Sequence, residues 1–185
     1  MIISASYRTD IPAFYGDWFI ARLDAGYCRT INPFSRQIHT VRLDRQAVSG
    51  FVFWTKNLGP FWPALQLVRD RGFPFVVQFT INAYPRSLET SVTDAERAIG
   101  HMRDLASEFG SRAGVWRYDP VVATSVTPPN WHVENFARLR GDYEPRLGEI
   151  TARVDKPGEM KAMAEEAHAE LEAWNRKKAY LLAKA

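Results

Sequence analysis

Four short apolar segments, each followed by a polar cluster and then by a segment with helical spacing, constrain the fold of this chain most strongly. The apolar segments are predicted strands at residues 2–6, 51–54, 75–81 and 115–118. Repeated strand–helix units build parallel sheets, either in a (β/α) barrel or in a doubly wound sheet. Because the strands are apolar without alternation, we expect helices on both faces of the sheet.

Caps and stop signals delimit the intervening helices. Helical spacing predicts helices at 11–25, 60–71 and 94–109, and a further helix that opens at Pro128 and ends before Gly141. Asp10 is the predicted N-cap of the first helix, and Thr93 or Asp94 that of the third. Between the first two units, residues 27–31 and 38–43 are predicted extended arms around a turn at 32–35.

The composition excludes several classes of protein. Hydrophobic residues make up 46% and charged residues 24%, as in soluble globular domains. The net charge of +3 is small and scattered, so there is no strong nucleic-acid signal. With the single cysteine Cys28, no secretory signal and no apolar run of the roughly 20 residues that span a bilayer, we expect a cytoplasmic protein without a membrane partner.

Polar side chains at the predicted strand ends form the candidate site, because the carboxyl ends of parallel strands meet at one rim. Its charged residues are Arg8, Asp10, Lys56, Arg117 and Asp119. Three cations with two carboxylates favour a small anionic ligand, bound by the forked guanidinium of arginine. The candidate catalytic residues are Asp10, Lys56 and Asp119, and the candidate substrate-binding residues are Arg8, Thr9, Thr55, Asn57, Gln78, Arg117 and Tyr118. In the structural alternative, Arg8 pairs with Asp119, or Lys56 with Asp10, and the pairs merely close the rim.

The remaining polar residues give no further site. His39, His101, His132 and His168 lack metal-ligand spacing, so no metal site is predicted. His101 and His168 fall on predicted helices and are expected at the surface. Cys28 is expected to be a small buried hydrophobic residue.

Distinctive motifs occur in a fixed order at residues 3–15 (ISASYRTDIPAFY), 26–28, 32–34, 53–57 (FWTKN), 78–80 and 116–120 (WRYDP). Over residues 1–139 these motifs resemble a bacterial family, domain of unknown function 1848. The resemblance implies a partial TIM barrel related to radical S-adenosylmethionine enzymes. It also implies a C-terminal cysteine cluster for an iron–sulfur centre, whereas it defines no biochemical function.

The chain departs from that family pattern in its C-terminal part, where the later strands and the cysteines are absent. An iron–sulfur cubane needs at least about three protein thiolates, and Cys28 is the only cysteine. We therefore expect neither the cluster nor S-adenosylmethionine chemistry from this chain. The divergent tail suggests a truncated, frameshifted or domain-shuffled relative.

Together these features predict an α/β fold with four βα units, resembling half to two-thirds of a TIM-like barrel. Residues 1–141 form this domain, 142–158 a linker and 159–185 a long amphipathic helix. The leading interpretation is an enzyme-like domain that binds a small anion at the rim. The alternatives are a non-catalytic binding or assembly module and a fragment of a longer protein. Self-association is expected through the open sheet edge or the C-terminal helix, unless that helix covers the edge.

Overall fold

The computed structural model describes residues 1–6 and 9–143. The strands are β1 (Ile2–Ser4), β2 (Tyr27–Ile31), β3 (Ile38–Arg42), β4 (Gly50–Thr55), β5 (Phe75–Thr80) and β6 (Gly114–Arg117). The helices are α1 (Ile11–Phe14), α2 (Gly16–Ala25), α3 (Trp62–Asp70), α4 (Ala95–Phe109) and α5 (Pro129–Tyr143). Short 3-10 turns, Gly59–Phe61 and Ser111–Ala113, precede α3 and β6. The predicted C-terminal helix at 159–185 lies outside the described residues.

The main sheet has the strand order β1-β4-β5-β6, and all its neighbouring strands are parallel. The predicted α/β fold with helices between parallel strands is therefore confirmed. The order follows the chain without reversal, so these four strands are not doubly wound. Among the strands of residues 1–6 and 9–143, β1 and β6 are the two edges, and these strands form an open sheet rather than a closed barrel. β2 and β3 form a separate antiparallel hairpin.

Helices cover one face of this sheet. On β4, Phe51, Phe53 and Thr55 are buried, whereas Trp54 between them is 38% exposed. Successive crossovers of one hand between strands in consecutive order place every helix on the same side. The expectation that both faces would be covered is therefore not met within the described residues. We call the uncovered side, which carries Trp54, Gln78 and Arg117, the open face.

Aromatic side chains fill the core between the sheet and its helices. Phe19 of α2 packs edge-on against Phe51 and Phe53 of β4, with ring centroids 5.5 and 5.3 Å apart. Trp116 of β6 stacks on Phe136 of α5 at 4.9 Å. Such ring pairs contribute about 0.5–1.5 kcal/mol each beyond their area burial. They fix the strands and hence the positions of the strand ends.

Local structure departs from the predicted elements in two helices. The single helix predicted at 11–25 is wrong, because the chain breaks at Tyr15 into α1 and α2. Gly16 lies beside the α3 entry, and a Cβ there would come within 3.4 Å of the Pro60 carbonyl oxygen. α5 continues through Gly141 to Tyr143, past the predicted stop.

His101 is half-buried rather than on the surface, as was predicted for it. A Cβ added at Gly59 would lie 3.2 Å from its ring, so the turn before α3 packs on it. Burial, followed by the nearby Arg97 charge, lowers the pKa of His101.

Within residues 1–6 and 9–143, no helix is long and apolar enough to cross a membrane.

Candidate functional site

The carboxyl ends of β4, β5 and β6 lie at the same edge of the sheet, and the predicted site residues follow them. Thr55, Thr80 and Arg117 are the last residues of these strands, and Thr80 is aligned with Arg117. Ligand sites of parallel sheets form at this edge. We call the polar residues that gather here the rim cluster: Asp10, Thr55, Lys56, Asn57, Glu89, Arg117 and Asp119.

Asp10 joins the segment after β1 to the end of β4. Its Oδ1 accepts a hydrogen bond from the Ala13 N–H at 2.9 Å, which caps α1. Its Oδ2 lies 3.0 Å from the Thr55 hydroxyl, which donates to it, and accepts from the Lys56 N–H at 3.2 Å. These three donors occupy both carboxylate oxygens. Asp10 therefore acts here as a positioning residue for the turn after β4.

Thr55 and Asn57 shape the same turn. Thr55 is only 5% exposed, and its hydroxyl oxygen accepts from the Asn57 N–H at 2.9 Å. The Asn57 side-chain oxygen accepts from the Gly59 N–H at 3.3 Å. Since both side chains bond to the local backbone, they set the direction of Lys56 rather than extend into solvent.

Lys56 forms an ion pair with Glu89, a residue that was not among the predicted site residues. The ammonium group contacts the Glu89 carboxylate, and the two side chains are 29% and 21% exposed. Glu89 lies in the loop after β5, which Arg86 braces by donating to the Thr90 and Val92 carbonyl oxygens. No local sequence pattern marks Glu89, because its partner is 33 residues away.

Arg117 lies across the open face. Its guanidinium carbon is 4.2 Å from the centroid of the Trp54 ring, which belongs to β4. β4 and β6 are separated by β5, about 10 Å from strand to strand, so the side chain spans the intervening strand. Arg117 also pairs with Asp119, whose other oxygen is 3.5 Å from the Thr80 hydroxyl. Gln78 lies beneath this arrangement, aligned with Trp54 on β4.

Of the two ion pairs in the structural alternative, only Lys56–Asp10 lies within the described residues, and that pair does not form. Lys56 pairs with Glu89 instead of Asp10, and Arg117 takes Asp119 as its partner. Thr9 is exposed, and Arg8 lies outside the described residues. The described rim cluster thus carries two cations and three carboxylates. Both cations of the described cluster are paired with a carboxylate.

Tyr118 belongs to a buried network behind the rim. Its hydroxyl group is 3.1 Å from His132 Nδ1 and accepts from the Asn135 amide at 3.0 Å. His132 is fully buried, and its Nε2 lies 3.1 Å from the Val122 carbonyl oxygen. Burial raises the pKa of Tyr118 and lowers the pKa of His132. The geometry makes Tyr118 a positioning residue for the segment after β6.

A cavity of about 230 Å³ adjoins the rim cluster beyond β5. Thr80 and Glu89 belong to both the cavity wall and the contacts described above, so the two are continuous. Asn82 lines the cavity, is 2% exposed and donates to the Pro120 carbonyl oxygen at 3.1 Å. Its side-chain oxygen is buried and has no hydrogen-bond partner within the described part of the chain.

The donor set does not fit an iron–sulfur cluster. In residues 1–6 and 9–143, no three His, Cys, Asp or Glu side chains are grouped as metal ligands. Cys28, the only cysteine in the sequence, lies on β2 and not at the rim, and burial raises the pKa of its thiol. The 185 residues therefore supply one of the roughly three thiolates that a cubane requires.

Comparison with known proteins identifies the family. The chain belongs to the family described as Domain of unknown function (DUF1848), whose model matches residues 2–184. The match extends past residue 139, where the recognisable motifs end, so it includes the segment interpreted from the sequence as a divergent tail. Nothing in the match supports truncation. No curated protein and no solved structure shows significant similarity to the chain.

Proposed function

We propose that this DUF1848 protein binds a small molecule with an acidic group, a phosphate or a carboxylate, at the rim cluster. The observation that carries the proposal is the placement of Arg117 on the Trp54 ring. Stacking uses the flat face of a guanidinium, whereas its five N–H donors point outward in the plane. The ring therefore holds the cation in place, and donors at the edge of the guanidinium contact Asp119.

The ligand acid would take the place of Asp119 on Arg117. The Asp119 side chain is 43% exposed, so its carboxylate can move into solvent when another anion arrives. A bidentate contact between guanidinium and phosphate or carboxylate is stronger than an ordinary neutral hydrogen bond. Lys56 supplies a second cation, which Glu89 holds at the end of β4.

The adjoining cavity would receive the rest of the molecule. Its volume of about 230 Å³ is below the 300–1,000 Å³ that is usual for drug-sized ligands, so the ligand should be small. The buried oxygen of Asn82 would accept a hydrogen bond from a hydroxyl or amino group of that ligand. A phosphorylated or carboxylated compound with such a donor matches both parts of the site.

The proposed role of the rim cluster is to bind the ligand. Lys56 and Asp119 are the candidate acid–base groups for a reaction of the bound ligand. Asp10 is assigned to positioning because three donors already engage its carboxylate. The proposal includes no radical S-adenosylmethionine step, since these residues do not supply the thiolates for the cluster.

Calorimetric titration with inorganic phosphate and with acetate tests this proposal. Replacing Arg117 by Gln should weaken binding at least tenfold, because charge-assisted contacts contribute about 1.5–3 kcal/mol. Arg117→Lys keeps the charge without the fork and should give an intermediate affinity. Arg29→Gln is the matched control, since Arg29 also lies near an aromatic ring, Tyr27, but on the hairpin. Unchanged affinity in a folded Arg117→Gln protein would overturn the proposal, as would the absence of saturable binding to the unsubstituted chain.

A further inference from the structure

A second concave surface lies at the opposite end of the sheet from β6. This groove of about 340 Å³ runs between β1, α2 and the β2–β3 hairpin. Its wall is mostly apolar and includes Ile2, Ile3, Ile11, Trp18, Cys28 and Val41. No residue of the rim cluster lines this groove, so the groove is separate from the proposed anion site.

The groove borders an uncovered strand edge. β1 pairs with β4 on one side only within the described residues. Ile2 is 71% exposed and Trp18 is 45% exposed, although both line the groove. Proteins cover or charge such edges, because an open apolar edge recruits other strands. Something apolar should therefore cover this one.

The sequence of residues 159–185 has the matching pattern. Its apolar side chains follow three- and four-residue spacing, which gives one apolar stripe if the segment is helical: Met160, Met163, Ala167, Leu171, Trp174 and Leu181. The first half of the segment, residues 159–172, contains five Glu and one Lys, a net charge of −4.

The surroundings of the groove carry the opposite charge. The hairpin, residues 27–42, contains Arg29, Arg36 and Arg42 and no Asp or Glu, although Arg42 pairs with Asp44 just beyond it. Arg22 of α2 lies in the groove wall itself. An acidic segment with an apolar stripe is thus complementary to this surface in both polarity and charge.

The chain is long enough to reach the groove from the end of α5. α5 packs beside α4, where Arg103 donates to the Asp142 carbonyl oxygen, on the side of the sheet away from β1. The sheet is about 15 Å wide from β1 to β6. The 15 residues from 144 to 158 span up to about 50 Å when extended.

We propose that the C-terminal segment of the same chain, residues 159–174, docks into the groove at the β1 edge. The apolar stripe lies against the groove wall, and the glutamates face the arginines of the hairpin. The segment thereby covers the open edge and prevents pairing of this edge with a second copy.

The single native cysteine allows a direct test in the full-length chain, because Cys28 lines the groove. Met163→Cys and Leu171→Cys place a second thiol on the stripe. Glu165→Cys and Ala169→Cys place it on the opposite side of the predicted helix as matched controls. We expect an intramolecular disulfide with Cys28, under mild oxidation, in at least one stripe variant and in neither control. Disulfides between chains would show that a second copy occupies the groove, and both that result and equal reactivity of all four variants overturn the proposal.

Labelling of Cys28 gives a second, independent readout. With the segment docked, a thiol reagent should react slowly with Cys28 in the unsubstituted protein. The double variant Met163→Glu and Leu171→Glu should react with the reagent at least tenfold faster, while its circular dichroism spectrum shows that the protein is still folded. Equal labelling rates in the two proteins contradict docking even if no disulfide variant folds.

Discussion

Replacing Tyr118 by Phe distinguishes a buried positioning residue from a ligand contact. The substitution removes one hydroxyl and with it two hydrogen bonds, of 3.1 Å to His132 and 3.0 Å from Asn135. Both partners are at most 6% exposed, so water does not replace the lost bonds. Net contributions of about 0.5–1.5 kcal/mol per bond give a loss of about 1–3 kcal/mol.

The distribution of this loss follows from the remaining contacts. The Asn135 amide keeps its 2.6 Å hydrogen bond to the Asn82 carbonyl oxygen. Most of the lost free energy of unfolding therefore comes from His132 Nδ1, which is left buried without a hydrogen-bond partner. For a chain of 185 residues, a loss of about 2 kcal/mol lowers Tm by about 4–8 °C. Phosphate affinity should stay within about twofold, because Tyr118 does not reach the rim.

Urea unfolding followed by circular dichroism, with phosphate titration of the same samples, measures both quantities. Tyr27→Phe is the matched control: Tyr27 is 39% exposed, and its loss of a hydroxyl should change stability by less than about 0.5 kcal/mol. The reasoning is refuted if Tyr118→Phe unfolds like the control. It is also refuted if stability is normal while phosphate affinity falls tenfold, since Tyr118 would then contact the ligand.

Five further substitutions probe the framework in urea unfolding. Burial lowers the folded pKa of His132, so the unfolded chain binds more protons below about pH 6.5. The stabilising contribution of neutral His132 should therefore be complete above that pH and should be lost as the pH falls further. His132→Gln should flatten the plot of unfolding free energy against pH between pH 7.5 and 5.5. Asp10→Ala should lower the free energy of unfolding by about 2–3 kcal/mol, whereas Asp94→Ala should lower it by about 1 kcal/mol, because Asp94 caps α4 through one bond. Equal losses in the two variants would contradict the bridging role of Asp10. Gly100→Ala, in open space on α4, should gain about 0.5–1 kcal/mol. Gly50→Ala should lose stability, because its Cβ would lie 2.9 Å from the Pro74 carbonyl oxygen.

Features with local causes could be predicted from the sequence. The apolar runs predicted strands whose bounds lie within a few residues of β4, β5 and β6, because a short and fully apolar segment is typical of a buried strand. Asp94 caps α4 and Gly26, at a φ of +73°, ends α2, as the residue types indicate. The gathering of Asp10, Lys56 and Arg117 near the strand ends follows from parallel topology.

Features that depend on tertiary contacts could not be predicted. The Glu89–Lys56 pair and the His132–Tyr118 contact join residues 33 and 14 positions apart, and no spacing rule selects them. The covered face of the sheet also escaped prediction, since an apolar run fits either face. One available signal concerned Tyr118: side chains of a strand alternate, so Tyr118 shares the core side with Trp116 while Arg117 points to the open face.

Nuclear magnetic resonance titration with inorganic phosphate tests the central claim, that an acid binds on Arg117, most directly. The account predicts saturable shifts of the Arg117 side-chain Nε–H and of the Lys56 and Asn57 backbone amides, all with one dissociation constant. The side-chain Nε–H of Arg29 on the hairpin should remain in place. Saturation with the largest shifts on the hairpin, or no saturable shift at Arg117, would contradict the account.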